Sequence, residues 1–188
     1  MPKGVEYEKH LVRTSKFLSL VLRHQPQTIG LRLDEGGWAR IDELIAKARG
    51  AGVRLTEELL REVVEKNDKR RFALSEDGLR IRASQGHSIR VSLELEPREP
   101  PEFLYHGTAS RFVESIRQSG LVRGRRNHVH LSKDERTAVS VGQRHGKPVV
   151  LVIEAEKMHS EGFQFFLSAN GVWLTESVPA DYITFPED

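Results

Sequence analysis

The stretch Arg71-Phe72-Ala73-Leu74-Ser75-Glu76-Asp77-Gly78-Leu79-Arg80-Ile81-Arg82-Ala83 decides how the first half of this chain is read. Two short strand-like runs flank Glu76-Asp77-Gly78, and Asp-Gly between such runs signals a β-hairpin. Upstream, Leu11, Phe17, Leu18, Val21 and Leu22 recur at helical spacing, which predicts a helix from about Tyr7 to Arg23. Pro26 lies just beyond as its stop. Leu31 and Leu33 then alternate with polar residues, and Asp34-Glu35-Gly36-Gly37 supplies a turn before Trp38-Ala39-Arg40-Ile41. A second helix is expected from about Asp42 to Arg49, closed by Gly50. Thr56 reads as the N-cap of a third, with Glu57 and Glu58 in a first turn whose dipole favours carboxylates. That helix presents Leu59, Leu60, Val63 and Val64 on one side.

Two short helices followed by a hairpin resemble a winged helix-turn-helix. Downstream, Glu96-Pro97-Arg98-Glu99-Pro100-Pro101-Glu102 holds three prolines and three glutamates in seven residues. Proline blocks helix and ladder hydrogen bonds, so residues 96–102 read as a linker between lobes at 1–95 and 103–188. The second lobe has short apolar runs at 103–106, 128–131, 149–154, 163–166, 172–175 and 182–185, with helices expected near 111–119 and 133–141. Many short strands with few helices argue for an α+β lobe on a β-rich core.

The chain has 188 residues, 38% hydrophobic and 30% charged, and no apolar run of transmembrane length. MPKGVEYEKH lacks the apolar core of a secretory signal, and a cytoplasmic location with no membrane partner is the expectation. The absence of cysteine excludes disulfides, cysteine-based zinc sites and thiol nucleophiles together. A net charge of +2 is too balanced for coating nucleic acid by bulk charge. Residues 1–98 nevertheless carry 19 Lys/Arg against 15 Asp/Glu, which makes the first half the better candidate for a nucleic-acid contact. No Gly-rich Rossmann or P-loop element is present.

Several strings offer chemistry. In Arg126-Asn127-His128-Val129-His130-Leu131-Ser132, strand periodicity turns Val129 and Leu131 inward and Arg126, His128 and His130 to the other face. Such a face suits a phosphate-bearing ligand. An H-x-H pair can also hold a metal, but no nearby carboxylate or cysteine completes a ligand set, so no metal is expected. Solvated histidines on an outward face are the plain alternative. His106-Gly107-Thr108 ends a short strand, where the glycine permits close backbone approach to a ligand, or simply a turn. Asn170-Gly171 is first a hairpin turn, and Trp173 beyond it fits a core position. Arg23-His24 closes the first helix, where the dipole alone accounts for cations. Lys69-Arg70-Arg71 leads into the hairpin, and Gln85-Gly86-His87-Ser88 follows it as a tight polar turn.

In order, Leu18 to His24, Lys69 to Phe72, Gln85 to Ser88, Tyr105 to Thr108, His128 to Ser132 and Asn170 to Thr175 closely resemble the motifs of the RNA (tRNA) 2′-phosphotransferases of the KptA-like type. The likeness runs from about Lys9 to about Tyr182, and His128 is its weakest correspondence. It implies a winged-helix lobe joined to an ADP-ribosyltransferase-like lobe. It also implies an enzyme of the tRNA-splicing type that moves an internal RNA 2′-phosphate to NAD⁺, consumed as co-substrate, with no metal. The resemblance assigns Arg23, Arg71 and Arg126 to the 2′-phosphate and His24 to phosphate contact or proton transfer. Arg71 is preferred to Arg70 because it directly precedes Phe72. His106, Gly107, Thr108, His130, Asn170 and Gly171 are the implied NAD⁺ contacts, and Gln85, Gly86, His87 and Ser88 are expected to line the cleft. Arginines and histidines, rather than carboxylates, are what positioning a phosphate dianion requires. The protein is expected to act as a monomer on RNA carrying an internal 2′-phosphate. A one-step ADP-ribosyltransferase and a non-catalytic winged-helix DNA-binding regulator are the rival readings.

Overall fold

The computed structural model describes residues 3–186, with side chains from residue 6 onward. Its mixed helices and small antiparallel sheets are compatible with the α+β class. The chain divides into two compact units, Met1–Glu94 and Leu95–Asp188. Among the described residues no helix is long and apolar enough to cross a membrane.

Unit 1 begins with α1 (Lys3–Arg23), continues through β1 (Ala39–Arg40), α2 (Ile41–Gly50) and α3 (Glu57–Glu65), and closes with β2 (Phe72–Leu74) and β3 (Arg80–Ala83). Leu18, Val21 and Leu22 of α1 are fully buried against Leu44 and Ala48 of α2 and Leu60 and Val63 of α3. Each buried leucine or valine here contributes about 1.5–3 kcal/mol. The predicted cap is present, with Thr56 Oγ1 accepting from the Leu59 N–H at 3.2 Å. So is the hairpin, whose turn uses Gly78 at φ +67° and Asp77 Oδ1 accepting from the Leu79 N–H at 3.0 Å.

The three strands form an antiparallel sheet in the order β1-β3-β2, with Phe72 opposite Ala83 and Ala73 opposite Arg82. Successive side chains on a strand alternate faces. Phe72, Ile81 and Ala83 therefore enter the core, while Ala73, Arg80 and Arg82 stand on the other face.

Unit 2 contains β4 (Phe103–Ala109), α4 (Val113–Ser119), β5 (Leu121–Val122), β6 (Val129–Leu131), α5 (Glu135–Gly142), β7 (Pro148–Glu154), α6 (Ala155–Ser160), β8 (Phe165–Leu167), β9 (Trp173–Thr175), β10 (Ser177–Val178) and β11 (Ile183–Thr184). Two three-stranded antiparallel sheets, β11-β7-β4 and β6-β9-β8, enclose Leu104, Leu151, Ile153, Phe165 and Met158. A bridge between Tyr105 and Ser132 ties the first sheet to the second, with reciprocal N–H···O distances of 2.9 and 2.7 Å.

Three expectations need correction. Strand β4 does not end at His106, because β7 pairs with it residue by residue as far as Ala109 opposite Pro148. Residues 96–102, read as a linker between the lobes, fall within unit 2. Pro97 bridges Phe166, the Arg98 N–H donates to Phe165 O at 2.8 Å, and Pro100 is buried. Finally, β6 begins at Val129, one residue later than expected, which leaves Arg126 in a turn where its N–H donates to Arg123 O at 3.1 Å.

Candidate functional site

In unit 1 the residues singled out from the sequence come together around the C-terminal end of α1. The Ser88 N–H donates to Arg23 O at 2.9 Å, and His24 Nδ1 lies 2.9 Å from Ser88 Oγ. The Gln85–Ser88 turn is thus fastened to the last residues of the helix. Gly86 adopts φ +85°, and a side chain there would begin 3.7 Å from Arg23 Nη1. The positive φ is what favours glycine at this position, since a Cβ at that distance would make only ordinary contact. From the other side, Arg23 Nη2 donates to Arg71 O at 3.3 Å, and its guanidinium carbon lies 6.0 Å from the centre of the Phe72 ring. The Arg23-His24 end of α1 is therefore joined on one side to the Ser88 turn and on the other to the Arg71 backbone.

Arg71 is set by contacts that sequence reading missed. Its Nη1 donates to Asn67 Oδ1 at 3.3 Å, while Ser84 clamps the backbone, with its Oγ donating to Arg70 O at 2.8 Å and its N–H to Arg71 O at 2.9 Å. Arg70 takes φ +41°, a left-handed conformation uncommon for a side chain of this size. Nothing local in the sequence marks Ser84, because the hairpin alone brings it to Arg70, whereas Asn67 lies only four residues before Arg71.

His87 departs from the expectation that it lines a cleft. It is 2% exposed, and neither ring nitrogen has a hydrogen-bond partner among the described residues. Burial, followed by the Arg23, His24 and Arg82 charges, pushes its pKa down to about 4. The ring is neutral at pH 7 and supports the turn from within. Gln85, Gly86 and Ser88 remain at the surface of that turn.

Unit 2 brings together His106, Arg126 and His130. A carbonyl can only accept, so His106 Nδ1, 3.0 Å from His130 O, carries the proton and donates it. Burial, the largest influence, lowers the His106 pKa, so the ring is neutral and Nε2 is an acceptor. Arg126 Nη1 donates to His130 Nδ1 at 2.5 Å, which places the His130 proton on Nε2. Two neighbouring imidazoles thus take opposite tautomers. Val129 and Leu131 are buried as predicted, and Arg126 still reaches His130 although it lies outside the strand. His128 packs against Phe166, with ring centres 5.7 Å apart.

Gly107 has a packing role that its motif does not reveal. A Cβ on it would fall 1.7 Å from Ala138 O, so α5 rests directly on the β4 backbone. Gly142 answers from the helix, where a Cβ would meet Thr108 O at 2.6 Å. Asn170 and Gly171 form the β8–β9 turn, with Gly171 at φ +79°, Ser168 Oγ donating to Asn170 Oδ1 at 2.8 Å and Trp173 buried behind.

A family model described as RNA 2′-phosphotransferase, Tpt1 / KptA family, matches residues 9–177. The chain belongs to this family. Every residue named above as a motif member, from Arg23 to Gly171, lies inside the matched span. Among curated relatives, a protein named probable RNA 2′-phosphotransferase from Rhodopirellula baltica is 60% identical over 180 residues, covering 95% of this chain and 98% of its own. Proteins of the same name from Agrobacterium fabrum and Flavobacterium johnsoniae are 57% and 58% identical, covering 93% and 91% of this chain and 94% of each relative. The Tpt1/KptA family is one of transferases, and the chain is an enzyme of that class.

Proposed function

We propose that the protein removes an internal 2′-phosphate from RNA and transfers it to NAD⁺, with a winged-helix lobe in unit 1 and an ADP-ribosyltransferase-like lobe in unit 2. The observation that carries this reading is the meeting of Arg23, His24, Arg71 and Ser88 at one end of α1. Arginine forks paired N–H groups onto phosphate oxygens, and no carboxylate belongs to the set to repel the anion. Gln85 and Gly86 border this phosphate site, and His87 buttresses it.

The residues of unit 2 fit a dinucleotide co-substrate. The His106 acceptor nitrogen and the Thr108 and Asn170 side chains supply the short-range polar groups that ribose hydroxyls and an amide need. Gly107 and Gly171 shape the backbone around them. His130, oriented by Arg126, adds a donor. When bound, NAD⁺ provides a glycosidic bond whose leaving group is already cationic, so no strong general acid is required.

In the first step an oxygen of the RNA 2′-phosphate forms a bond to the anomeric carbon of the nicotinamide ribose, and nicotinamide leaves with the bonding pair. In this attack the phosphate charge needs arginine partners, a role for which the family resemblance names Arg23, Arg71 and Arg126. In the second step the adjacent 2″-hydroxyl attacks that phosphorus and the RNA 2′-oxygen leaves. His24, braced by Ser88, moves the proton from the hydroxyl to the departing oxygen. The products are RNA with a 2′-OH, nicotinamide and ADP-ribose 1″,2″-cyclic phosphate. RNA is the substrate because only ribose carries a 2′-phosphate.

The test is incubation with NAD⁺ and an RNA oligonucleotide bearing one internal 2′-phosphate, with mass analysis of all products. Loss of the phosphate together with ADP-ribose cyclic phosphate is the expected outcome. Persistent ADP-ribosylated RNA identifies a one-step transferase, and no turnover returns the protein to a binding role. A chelator is expected to leave the rate unchanged.

A further inference from the structure

The sheet of unit 1 carries an unusual face. Arg80 and Arg82 are two residues apart on β3 and share the side turned away from the core. Their guanidinium carbons lie 5.5 and 4.5 Å from the centre of the same ring, that of Trp38. The register of β1 against β3, with Ala39 opposite Ile81, carries Trp38 to the level of Arg82. The indole is held there deliberately by a turn, in which Asp34 Oδ1 accepts from the Trp38 N–H at 2.8 Å and the Asp34 N–H donates to Trp38 O at 3.0 Å. A Cβ on Gly36 would come within 3.1 Å of the indole Cδ1, so the turn is also shaped to leave the ring room.

The charges on this face are unequal. Arg80 has Asp34 at 3.6 Å, whereas Arg82 donates only to Gly36 O, at 3.4 Å, and forms no ion pair among the described residues. Arg82 is also one of the charges that depress the buried His87, which ties the face to the end of α1. Along the sheet, Arg82 stands opposite Ala73, and Arg71 lies two residues before Ala73. A diagonal pair of this kind is separated by about 7–8 Å. A part-buried tryptophan flanked by guanidinium groups combines stacking surface with positive charge, and single-stranded nucleic acid is the ligand that uses both at once. An acidic peptide would use the arginines and leave the indole without a role.

We propose that Trp38, Arg80 and Arg82 form a docking surface for the RNA nucleotides next to the 2′-phosphate. The inference rests on the phosphate site proposed above and extends it along the sheet. Flanking bases stack on the indole or on a guanidinium plane, and Arg82 takes a backbone phosphate.

The test compares the intact protein with its R82Q and W38A variants, using a fluorescent single-stranded RNA of about twelve nucleotides with one central 2′-phosphate. Each variant is expected to bind at least about fivefold more weakly, the lower end for loss of one stacked base. For R82Q the slope of log affinity against log salt should fall by about one. R82K and W38F should recover most of the binding, which separates the surface from a folding defect. In turnover, kcat/KM should fall for the long RNA and stay unchanged for a 2′-phosphorylated dinucleotide too short to reach the face.

Unaltered RNA binding in both variants overturns the proposal. So does an equal loss on long and minimal substrates, or a loss confined to duplex DNA. If the wild type binds the long RNA yet removes no phosphate, the phosphotransferase reading fails, and the ratio of variant to wild-type binding still decides this one.

Discussion

In unit 1, Arg23 and His24 end a helix and are met by a turn 64 residues further along the chain, through His24 and Ser88. In unit 2, His106 and His130 face each other across strands, and one backbone carbonyl fixes the tautomer of the ring opposite. The first arrangement converges from segments that are remote in sequence and depends on loop-to-helix contacts. The second is set by sheet register and by a helix lying directly on a strand. The same contrast marks one histidine of each unit, the buried His87 and the part-buried His106. His106 has a hydrogen-bonded nitrogen, whereas neither His87 nitrogen has a partner among the described residues. A register-built site should therefore be sensitive to backbone volume, and a convergent one to the charge state of what lies beneath it.

The largest effect follows from the close approach in unit 2. G107A would place a methyl group 1.7 Å from Ala138 O, on backbone that cannot rotate aside. Overpacking of this severity should destabilise by about 3 kcal/mol or more. For a chain of this size that is a fall in melting temperature of about 6–12 °C. G86A in unit 1 meets the Arg23 side chain at 3.7 Å and should lose less stability, chiefly through its positive φ. Equal losses in calorimetry would break the contrast between the two units.

Next comes the pH dependence of unit 1. His87 has a folded pKa depressed to about 4 against an ordinary value of 6.5. Between those values the unfolded chain binds a proton that the folded chain does not, so stability falls as pH drops below about 6.5. From pH 7 to pH 5 the loss attributable to this ring is about 2 kcal/mol. H87L should remove that part of the slope and gain stability relative to wild type at pH 5. Denaturant melts at both pH values check it, and parallel wild-type and variant curves would sink the assignment.

Catalytic effects are of similar or smaller size and should divide by unit. R71A and R126A are each expected to slow turnover at least tenfold, about 1.4 kcal/mol of transition-state stabilisation. H106A should act mainly on the KM for NAD⁺, and R71A mainly on the RNA side. Near-wild-type turnover in either arginine variant removes it from the phosphate-holding set.

How far the sequence disclosed these features depends on the range of the contacts involved. The Thr56 cap and the Asp77-Gly78 turn were legible because each is decided within about five residues. The three helices of unit 1 were legible from their apolar spacing. The two-residue strands β5 and β10 and the short helix α6 carry too few residues to establish a period. The full length of β4 was hidden because β7, more than forty residues away, supplies its partners. Gly107 could be read as a point of close approach, but not that α5 is what approaches. Likewise His87 reads as polar turn residue, and only tertiary packing makes it a buried one.

The smallest predicted effects compare the two helix caps. In unit 1, Thr56 satisfies one N–H with a neutral hydroxyl at 3.2 Å. In unit 2, Asp134 accepts from the Thr137 N–H at 2.8 Å and from the Thr137 hydroxyl at 2.9 Å. The N–H bond is the largest influence holding its carboxyl pKa below the ordinary value, so the cap is charged and sits at the positive end of the α5 dipole. Replacing a cap by alanine costs about 0.5–2 kcal/mol, with shorter and charge-assisted bonds toward the upper end. T56A should therefore lose about 0.5–1 kcal/mol, and D134A about 1–2 kcal/mol. D134N keeps an acceptor and drops the charge, so it should fall between wild type and D134A. Because α5 is the helix that rests on Gly107, the D134A loss should also loosen β4, which hydrogen exchange at the Gly107 and Thr108 amides would register. T56A should leave those two amides untouched. If T56A accelerates their exchange as much as D134A does, the two units do not respond separately and the comparison between them fails.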